Sequence, residues 1–387
     1  MKARPRILHC ITVYNGRAFV PAAIESALRL DQTDAEIDIL VLDDASPEPG
    51  WSEELAAFCK ARDVMYYRTP RNLGIPRNVS LGMLTAVKRG YDYVVISNSD
   101  VIYPANLMSA MLPAARQPKV GSVTAWSNNV SIYSLPNLDP NAHLQSQEVV
   151  DWLHATLHGH FGDAVMDIPA GISFCILIST DVVRDVGIMD PCFGRGYCEE
   201  TDWSLRSLAA GYRIALAPGT FVFHHGRGSN LDAGIVSPNA TTVPGNEAII
   251  DLRYPQFRMQ VDSFVHSGIL STAQDDATKH IVRSAAAQFG YSLEIGRSVA
   301  ADASRAEKDV VVSVSPDGFS NKAVILFRGF RLEIPFDTQD PAASIAAYLG
   351  TPPRSASVFD RGAVASRVEA ALPDQVQKRV GNYPRTI

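Results

Sequence analysis

The chain has 387 residues, of which 46% are hydrophobic and 20% charged, and its mean hydropathy is close to zero. These values are typical of a globular protein with a sizeable core, and the length suits one large α/β domain and a smaller unit. The net charge of −6 argues against a broad nucleic-acid-binding surface. No apolar run reaches the roughly 20 residues of a membrane-spanning helix. The five scattered cysteines include no CxxC pair, which favours reduced thiols in a cytosolic protein over a zinc site or a disulfide framework.

The first hundred residues alternate between predicted strands and predicted helices. The strand-like segments are RILHCITVYN, EIDILVLDDAS, VMYYRTP and YDYVVISNSD. The helical segments between them are FVPAAIESALRL, GWSEELAAFCKAR and GIPRNVSLGMLTAVKRG. This alternation predicts an α/β fold with a mixed, mostly parallel sheet flanked by helices. Three of the strands end in polar residues, in VYN, LDDAS and SNSD, and the carboxyl edge of such a sheet is where ligands bind.

The chain is less regular over 103–170, where a long predicted loop precedes the helical segment VVDWLHATLHGHF. A buried strand, ISFCILIST, and a helix, DVVRDVGIMD, come next. The segment FGRGYCEETDWSLRSLAAGY predicts a glycine-rich loop that enters a helix, and RIALAPGTFVFHHGRGS predicts two short strands with a polar end. We assign residues 1–230 to the first domain.

A segment rich in Ser, Asn, Pro and Gly follows, and it predicts a flexible loop or linker over 231–260. Residues 261–387 contain the strand-like segments DVVVSVSPDGF, KAVILFRG and FRLEIPF. They also contain the helical segments ATKHIVRSAAAQFG, PAASIAAYLG and AVASRVEAALPDQVQKRV. This part of the chain is predicted to be a small α+β appendage, to which the sequence assigns no role.

The segment VVISNSDVIYP contains a candidate metal site. A divalent cation that bridges two phosphates needs hard oxygen ligands on a short, rigid turn. Asp100 could supply a carboxylate, and Asn98 could bind a ribose or a metal-bound water. The same residue types are common in simple strand-end turns, so this motif alone leaves both interpretations open. The histidine tandem in FVFHHGRGS could add an imidazole ligand, although a histidine at a strand end is more often structural.

Two further segments carry acids that could act on a substrate. Asp44 in LDDAS could accept a hydrogen bond from a nucleobase, although adjacent acids are also common at helix caps. Glu199, Glu200 and Asp202 lie within four residues of each other at a predicted helix start, where the helix dipole favours acids in any case. The apolar residues around this cluster would raise the pKa of a carboxyl group toward the range of a general base.

Taken in order, these motifs are more specific than any one of them. The chain reads VYNG, LDDAS, RNLGIPRN, SNSD, SNN, FGRGYCEETDW followed by GYR, and VFHHGRGS. This order closely resembles the inverting glycosyltransferases of family 2, which have the GT-A fold. The resemblance covers about residues 6–230, and residues 260–387 lie outside it.

The resemblance implies a role for each matching position. Asp100 and His224 would bind a Mn²⁺ or Mg²⁺ ion, and Glu200 holds the position of the general base, with Glu199 and Asp202 beside it. The residues that would bind the nucleotide-sugar donor are Thr12, Tyr14, Asp44, Asn72, Arg77 and Asn98. This sequence departs from the family pattern at two positions. Asn98 stands where the metal motif usually has an acid, and the base is Glu instead of Asp, which makes Glu199 and Glu200 hard to separate.

The implied reaction is a single in-line displacement that moves a sugar from a nucleotide-diphosphate sugar, with a UDP-sugar favoured, to a hydroxyl group. The acceptor stays open among a glycan, a glycolipid, a protein and a modified nucleic acid. We expect a cytoplasmic protein, either free or peripheral at a membrane, whose C-terminal region serves acceptor binding or homo-oligomerisation.

The same residues leave two alternative functions. The first is a non-catalytic scaffold or binding module with the same fold, which the intact acids and histidines disfavour. The second is a sugar nucleotidyltransferase, which would need a glycine-rich basic signature that VYNGRAF does not supply.

Overall fold

The structure of the chain is a computed structural model. It describes residues 4–136, 143–226, 242–295, 306, 309–314, 322–337 and 339–358, together with the backbone of Gln377–Val380. The chain divides into two compact units, one formed by Met1–Ser134 and Gln145–Ser271 and the other by Leu135–Leu144 and Thr272–Ile387. The first unit therefore extends past the predicted linker at 231–260. Within the described ranges, no helix has both the length and the apolar composition to cross a membrane.

The first unit contains the predicted alternation of strands and helices. Its strands are β1 (Arg6–Val13), β2 (Glu36–Asp43), β3 (Met65–Arg68), β4 (Tyr93–Ser97), β5 (Val101–Ile102), β6 (Val120–Trp126), β7 (Met166–Asp167), β8 (Cys175–Ser179), β9 (Arg213–Phe221) and β10 (Phe223–His224). Its helices are α1 (Val20–Leu28), α2 (Trp51–Lys60), α3 (Ile75–Lys88), α4 (Leu107–Ala115), α5 (Gln147–Phe161), α6 (Thr180–Val186), α7 (Glu199–Ala209), α8 (Pro244–Arg253) and α9 (Phe257–His266).

Eight of the described strands of this unit form one sheet in the order β3-β2-β1-β4-β8-β6-β9-β7. β1 pairs in parallel with β2 and β4, as do β2 with β3 and β6 with β9. β8 is antiparallel to β4 and β6, and β7 is antiparallel to β9. Helix α3 packs on β1 and β4, while α4 and α5 pack on β9. The predicted fold class, a mixed and mostly parallel sheet flanked by helices, is confirmed.

The sheet positions the polar strand ends that the sequence singled out. β1 is an almost continuous buried apolar run, as expected for a strand covered by helices on both faces. Because β1, β2 and β4 are parallel neighbours, their carboxyl ends meet at one edge. Within the described ranges, β5 and β10 form a separate antiparallel pair, with His224 opposite Val101. This pair brings the end of the FVFHH segment next to the SNSD turn.

Two segments of the first unit differ from the sequence prediction. Residues 103–170, predicted to be less regular, contain α4 and the wholly buried strand β6, which were not predicted; Pro113 inside α4 obscures the helical pattern. The predicted loop over 231–260 is wrong where the structure describes it. Residues 231–241 lie outside the described residues, but α8 and the start of α9 are helical, and Pro244 occupies a first-turn position that suits proline.

The second unit is an α+β unit, as predicted. Its elements are β11 (Tyr291–Ile295), β12 (Val310–Val314), β13 (Lys322–Phe327), β14 (Phe330–Pro335), β15 (Ser355–Val358), β16 (Gln377–Val380), α11 (Pro341–Leu349) and α10 (Ile269–Phe289), which contains the division between the units. In the part of this unit that the structure describes, the strands form one sheet in the order β14-β13-β12-β11-β15-β16. The helix predicted over 363–380 is wrong at its end, where 377–380 form β16, and 363–376 lie outside the described residues.

Candidate active site

A cavity of about 540 Å³ lies at the carboxyl ends of β1, β2 and β4. Its size is within the usual range for small-molecule sites. The lining includes every predicted site residue except Arg77 and Asp202. Those in the lining are Thr12, Tyr14, Asp44, Asn72, Asn98, Asp100, Glu199, Glu200 and His224. Residues that are far apart in sequence thus meet around one space.

Asp44 connects the end of β2 to the loop that precedes α3. Its Oδ1 accepts hydrogen bonds from Leu73 N at 2.8 Å and from Thr69 Oγ1 at 3.1 Å, and its Oδ2 accepts one from Gly74 N at 2.9 Å. A carboxylate has about four acceptor positions, so one on Oδ2 remains for a ligand. Asp44 therefore supports the cavity wall and can still accept a hydrogen bond from a nucleobase.

The other predicted donor-binding residues lie around Asp44. Thr12 Oγ1 donates to the Ser97 carbonyl oxygen at 3.0 Å and so connects the ends of β1 and β4. Asn72 Oδ1 accepts from Gly74 N at 3.1 Å. Arg77 lies outside the main cavity and lines a neighbouring space of about 420 Å³ together with Arg195. Tyr14, Asn72, Gly74 and Arg195 line both spaces, so the two are adjacent.

Asp100 and His224 face each other beneath the cavity. Asp100 Oδ1 lies 3.2 Å from His224 Nε2, and the side-chain amide nitrogen of Asn98 lies 3.1 Å from the same Nε2. Asn128 holds the backbone of His224 on both sides, accepting from its N–H at 2.8 Å and donating to its carbonyl oxygen at 3.0 Å. The Nδ1 atom of His224 lies 3.1 Å from the Asn129 carbonyl oxygen, which can only accept.

These contacts determine the protonation of the pair. Burial raises the pKa of Asp100, but the His224 imidazole, a backbone hydrogen bond and His225 together outweigh burial, and the pKa is lowered. Burial lowers the pKa of His224, but the Asp100 carboxylate and the Asn129 carbonyl oxygen together outweigh burial, and the pKa is raised. Because His224 Nδ1 donates to a carbonyl, a neutral imidazole would point the Nε2 lone pair at a carboxylate. A proton or a metal cation between Nε2 and Asp100 would relieve this repulsion, and the Asn98 amide nitrogen is the other donor within reach of Nε2.

This donor set fits a divalent cation only in part. In the described ranges, no three His, Cys, Asp or Glu side chains converge in a way that could hold a metal ion. Asp100 and His224 provide two ligands, and the carbonyl contact at Nδ1 orients the imidazole as in many metal sites. Mg²⁺-type sites often take one or two protein ligands and complete the shell with water and phosphate oxygens. The pair is thus suited to a cation that arrives with a diphosphate.

Glu199 and Glu200 lie in the cavity wall at the start of α7. Glu199 is only 3% exposed, and Oε2 of each glutamate is buried without a hydrogen-bond partner among the described residues. Burial raises the pKa of both carboxyl groups, and the charge of Glu200 raises the pKa of Glu199 further. Two buried carboxyl groups so coupled titrate as a pair, and one proton is retained by the pair after the first ionisation. The arrangement is suited to proton transfer.

Asp202 faces away from the cavity and is buried in an ionic cluster. Its Oδ2 accepts from Arg206 Nε at 2.8 Å, and its Oδ1 accepts from Arg253 Nη1 at 2.8 Å and from Tyr254 Oη at 2.9 Å. Asp202 is fully buried and does not appear among the described residues of the cavity lining. The structure thus gives it a structural environment, whereas the sequence had grouped it with the candidate catalytic acids.

One wall of the cavity was not predicted from the sequence. Glu247 of α8 and Phe257 and Val261 of α9 line the space on the side of the acid pair. The signal was present as apolar residues at helical spacing, with Phe257, Val261 and Phe264 at positions i, i+4 and i+7. The Pro- and Gly-rich composition of the preceding segment outweighed it.

The chain is similar to known proteins in sequence and in structure. Residues 9–164 match the sequence model of the family described as Glycosyl transferase family 2. An undecaprenyl-phosphate mannosyltransferase of Micrococcus luteus is 26% identical over 242 residues, which cover 62% of this chain and 92% of the relative. A solved structure of GalNAc-T7 with UDP, GalNAc and Mn²⁺ is 12% identical to this chain and has a TM-score of 0.46. The match covers 58% of this chain and 44% of the GalNAc-T7 chain. The mannosyltransferase PcManGT from Pyrobaculum calidifontis, solved with GDP-Man and Mn²⁺, is 14% identical and has a TM-score of 0.44. The match covers 74% of this chain and 76% of the PcManGT chain.

Proposed function

Because the N-terminal part of this chain belongs to glycosyltransferase family 2, we propose that this glycosyltransferase moves a sugar from a nucleoside-diphosphate sugar to a hydroxyl group with inversion. The observation that carries the proposal is the placement of two kinds of acid around one cavity. A carboxylate–imidazole pair lies at the strand ends, and a buried pair of glutamates lies in the part of the wall formed by the start of α7. Inversion needs a leaving-group site and a base that act on the substrate together.

The nucleotide would occupy the strand-end side of the cavity. Asp44 offers its remaining acceptor position to a base N–H, and Tyr14 offers a ring surface beside it. Asn72 and Asn98 would contact the ribose, and Arg77, from the adjacent space, would approach the phosphates. UDP remains our favoured nucleotide, and GDP is the competing choice because the Micrococcus luteus relative is a mannosyltransferase.

Asp100 and His224 would hold the Mn²⁺ or Mg²⁺ ion. When bound, the cation supplies positive charge to the diphosphate that departs. The protein's part is to hold the two ligands in place, through the β5–β10 pairing and the two hydrogen bonds of Asn128 to the His224 backbone. His225 packs against the rings of Phe19 and Phe223 at 4.7 and 4.8 Å and so has a structural environment.

Glu200 would act as the general base. Glu199 is the more buried of the two carboxyl groups and would retain the shared proton, whereas Glu200 is partly exposed to the cavity and would be the ionised partner. A base with a raised pKa is closer to the range at which it accepts a proton efficiently. The acceptor hydroxyl would approach along the wall formed by Glu247, Phe257 and Val261.

The acid pair also distinguishes two classes of acceptor. The relative's name states that it acts on undecaprenyl phosphate. The second pKa of a phosphate monoester is about 6, so its attacking oxygen is already ionised at neutral pH. Such an acceptor needs no general base to remove a proton. A hydroxyl acceptor must lose its proton during transfer, and a general base in the glutamate pair would assist this step, which favours a glycan, glycolipid or glycoprotein hydroxyl. A lipid acceptor of either class would place the enzyme at the cytoplasmic surface of a membrane.

The test is a panel of UDP-, GDP- and dTDP-sugars, each with Mn²⁺ or Mg²⁺, in which release of the free nucleoside diphosphate is measured. We expect hydrolysis of one donor class, dependent on the cation. The absence of hydrolysis and of nucleotide binding across the panel would favour a non-catalytic scaffold. Formation of a nucleotide sugar from a nucleoside triphosphate and a sugar phosphate would favour a nucleotidyltransferase. A second step compares undecaprenyl phosphate with hydroxyl acceptors, for parent and Glu200→Gln.

A further inference from the structure

The loop that leads into α7 has an unusual backbone. Gly194 and Gly196 have φ of 63° and 134°, and they are followed by Tyr197 and Cys198 with φ of 75° and 74°. Two successive non-glycine residues in the left-handed region form a strained backbone that the surrounding structure must hold in place. Glu199 is the next residue, so the direction of the first turn of α7, and of both glutamates, depends on this loop keeping its conformation.

One side chain of α8 holds this loop by its carbonyl groups. Asn246 Nδ2 lies 3.0 Å from the Phe193 carbonyl oxygen, 2.7 Å from that of Gly196 and 2.9 Å from that of Tyr197. The Nδ2 nitrogen carries two N–H groups and can only donate, and three carbonyl oxygens surround it. The described contacts of Asn246 therefore include the loop residues immediately before the acid pair.

The far end of α8 is also attached to the acid-bearing part of the chain. Arg253 Nη1 lies 2.8 Å from Asp190 Oδ2 and 2.8 Å from Asp202 Oδ1, and Tyr254 adds its hydroxyl to Asp202. Asp190 precedes the loop and Asp202 follows it on α7. Helix α8 thus spans the loop and is fastened on both sides of it.

We propose that Asn246 is a positioning residue that keeps the loop at 193–198 in the conformation that presents Glu199 and Glu200 to the cavity. Asn246 itself is not among the described residues that line the cavity, whereas its neighbour Glu247 is. The inference rests on the proposed function of the glutamate pair. The segment that carries Asn246 lies outside the region matched by the family model.

Two variants separate donation from packing. Asn246→Ala removes the amide, and Asn246→Asp keeps its size but places oxygen atoms against three carbonyl oxygens. If Asn246 only filled space, Asn246→Asp would be the milder change; if it donates, Asn246→Asp is as severe as Asn246→Ala or worse. We expect both variants to lower kcat at least about 10-fold, since small displacements of a catalytic group can cost 10²-fold. The Kd of UDP or GDP with Mn²⁺ should stay within about 2-fold, since donor binding uses the strand ends.

Amide hydrogen exchange of the loop provides a readout that is independent of turnover. Gly194 N and Gly196 N donate to Pro191 O at 3.2 Å and to Phe193 O at 3.1 Å, so both amides are protected while the loop keeps its form. In both Asn246 variants we expect exchange at 193–198 to accelerate about 10-fold or more, as for a local opening. The control is Asp251→Asn on α8, which weakens the exposed ion pair between Asp251 and Arg258 of α9 and should leave both exchange and kcat unchanged.

The outcomes are distinct. Faster exchange together with lower kcat and an unchanged nucleotide Kd supports the proposal. Unchanged exchange, an unchanged kcat, or a milder effect of Asn246→Asp than of Asn246→Ala overturns it. If the parent hydrolyses no donor, the proposed function fails, and the exchange measurement alone then decides whether Asn246 holds the loop.

Discussion

Replacing Asp202 by Asn should destabilise the first unit, although Asp202 lies only two residues from the candidate base. Asp202 is fully buried, and three donors reach its carboxylate, from Arg206, Arg253 and Tyr254. Asparagine keeps one oxygen, so two of these contacts persist as bonds to a neutral acceptor. The other oxygen becomes an NH₂ group that faces the N–H of one arginine.

The size of the effect follows from these contacts. Each hydrogen bond weakened from charged to neutral costs about 1 kcal/mol, and the lost one costs about 1.5–3 kcal/mol. Removing one partner of a fully buried ion pair costs roughly 3–5 kcal/mol. The side chains of Arg206 and Arg253 are 29% and 38% exposed and can regain water, which reduces the cost. We therefore expect a loss of about 3 kcal/mol, a large part of the 5–15 kcal/mol typical of folded domains.

Urea unfolding followed by tryptophan fluorescence measures this loss. Trp203 is fully buried on the same helix, and its Nε1 donates to the Gly187 carbonyl oxygen at 2.9 Å, so it reports on this region. Asp181→Asn is the matched control, because Asp181 is 81% exposed in its pair with Arg184 and should cost less than about 1 kcal/mol. Below the unfolding transition, Asp202→Asn should retain most of the turnover. A variant with parental stability and no turnover would instead place Asp202 in the reaction and refute the structural interpretation.

The remaining predictions concern the two acidic parts of the cavity. Asp100→Ala should abolish Mn²⁺-dependent nucleotide binding with an unchanged circular dichroism spectrum, and equal affinity by calorimetry would contradict this. His224→Ala should lose Mn²⁺-dependent turnover while His225→Ala keeps most of it; the opposite result would move the ligand by one residue. Glu200→Gln should keep nucleotide affinity and lower turnover by about 10²–10⁴-fold, with a smaller loss for Glu199→Gln, and the reverse order would make Glu199 the base. Because burial raises the pKa of both glutamates above the ordinary 4.5, and the base must be ionised, turnover should fall as the pH decreases while still above 4.5; a rate that is flat down to that pH would exclude the pair.

The donor side of the cavity could be predicted from the sequence because its geometry follows from strand order. Thr12, Asp44 and Asp100 each come at or just after the end of a predicted strand, and parallel neighbours bring their ends together. The metal-ligand prediction for His224 needed the family resemblance as well. Strand patterns alone do not show that β10 pairs with β5 and so places this histidine against the SNSD turn.

The environment of Asp202 could not be predicted in the same way. Its partner Arg253 lies 51 residues away in a segment whose composition indicated a loop. Helical spacing separates Glu199 from Glu200 by about 100° but does not tell which side of α7 faces the cavity. The left-handed Tyr197 and Cys198 determine that direction, and neither is a residue type that signals positive φ.

The two sides of the cavity are therefore held by different forces, and this should separate the effects of mutation. On the strand-end side, backbone pairing within the sheet holds Asp100 and His224 in place. Asp44 also supports the loop before α3, so its substitution should affect folding and binding together. On the acid side, a strained loop is held by side-chain hydrogen bonds from α8, above all those of Asn246. Such bonds contribute about 0.5–1.5 kcal/mol each, so their loss can move the glutamates without unfolding the sheet. Loss of the Asn246 hydrogen bonds should consequently lower kcat while nucleotide affinity and the fold persist.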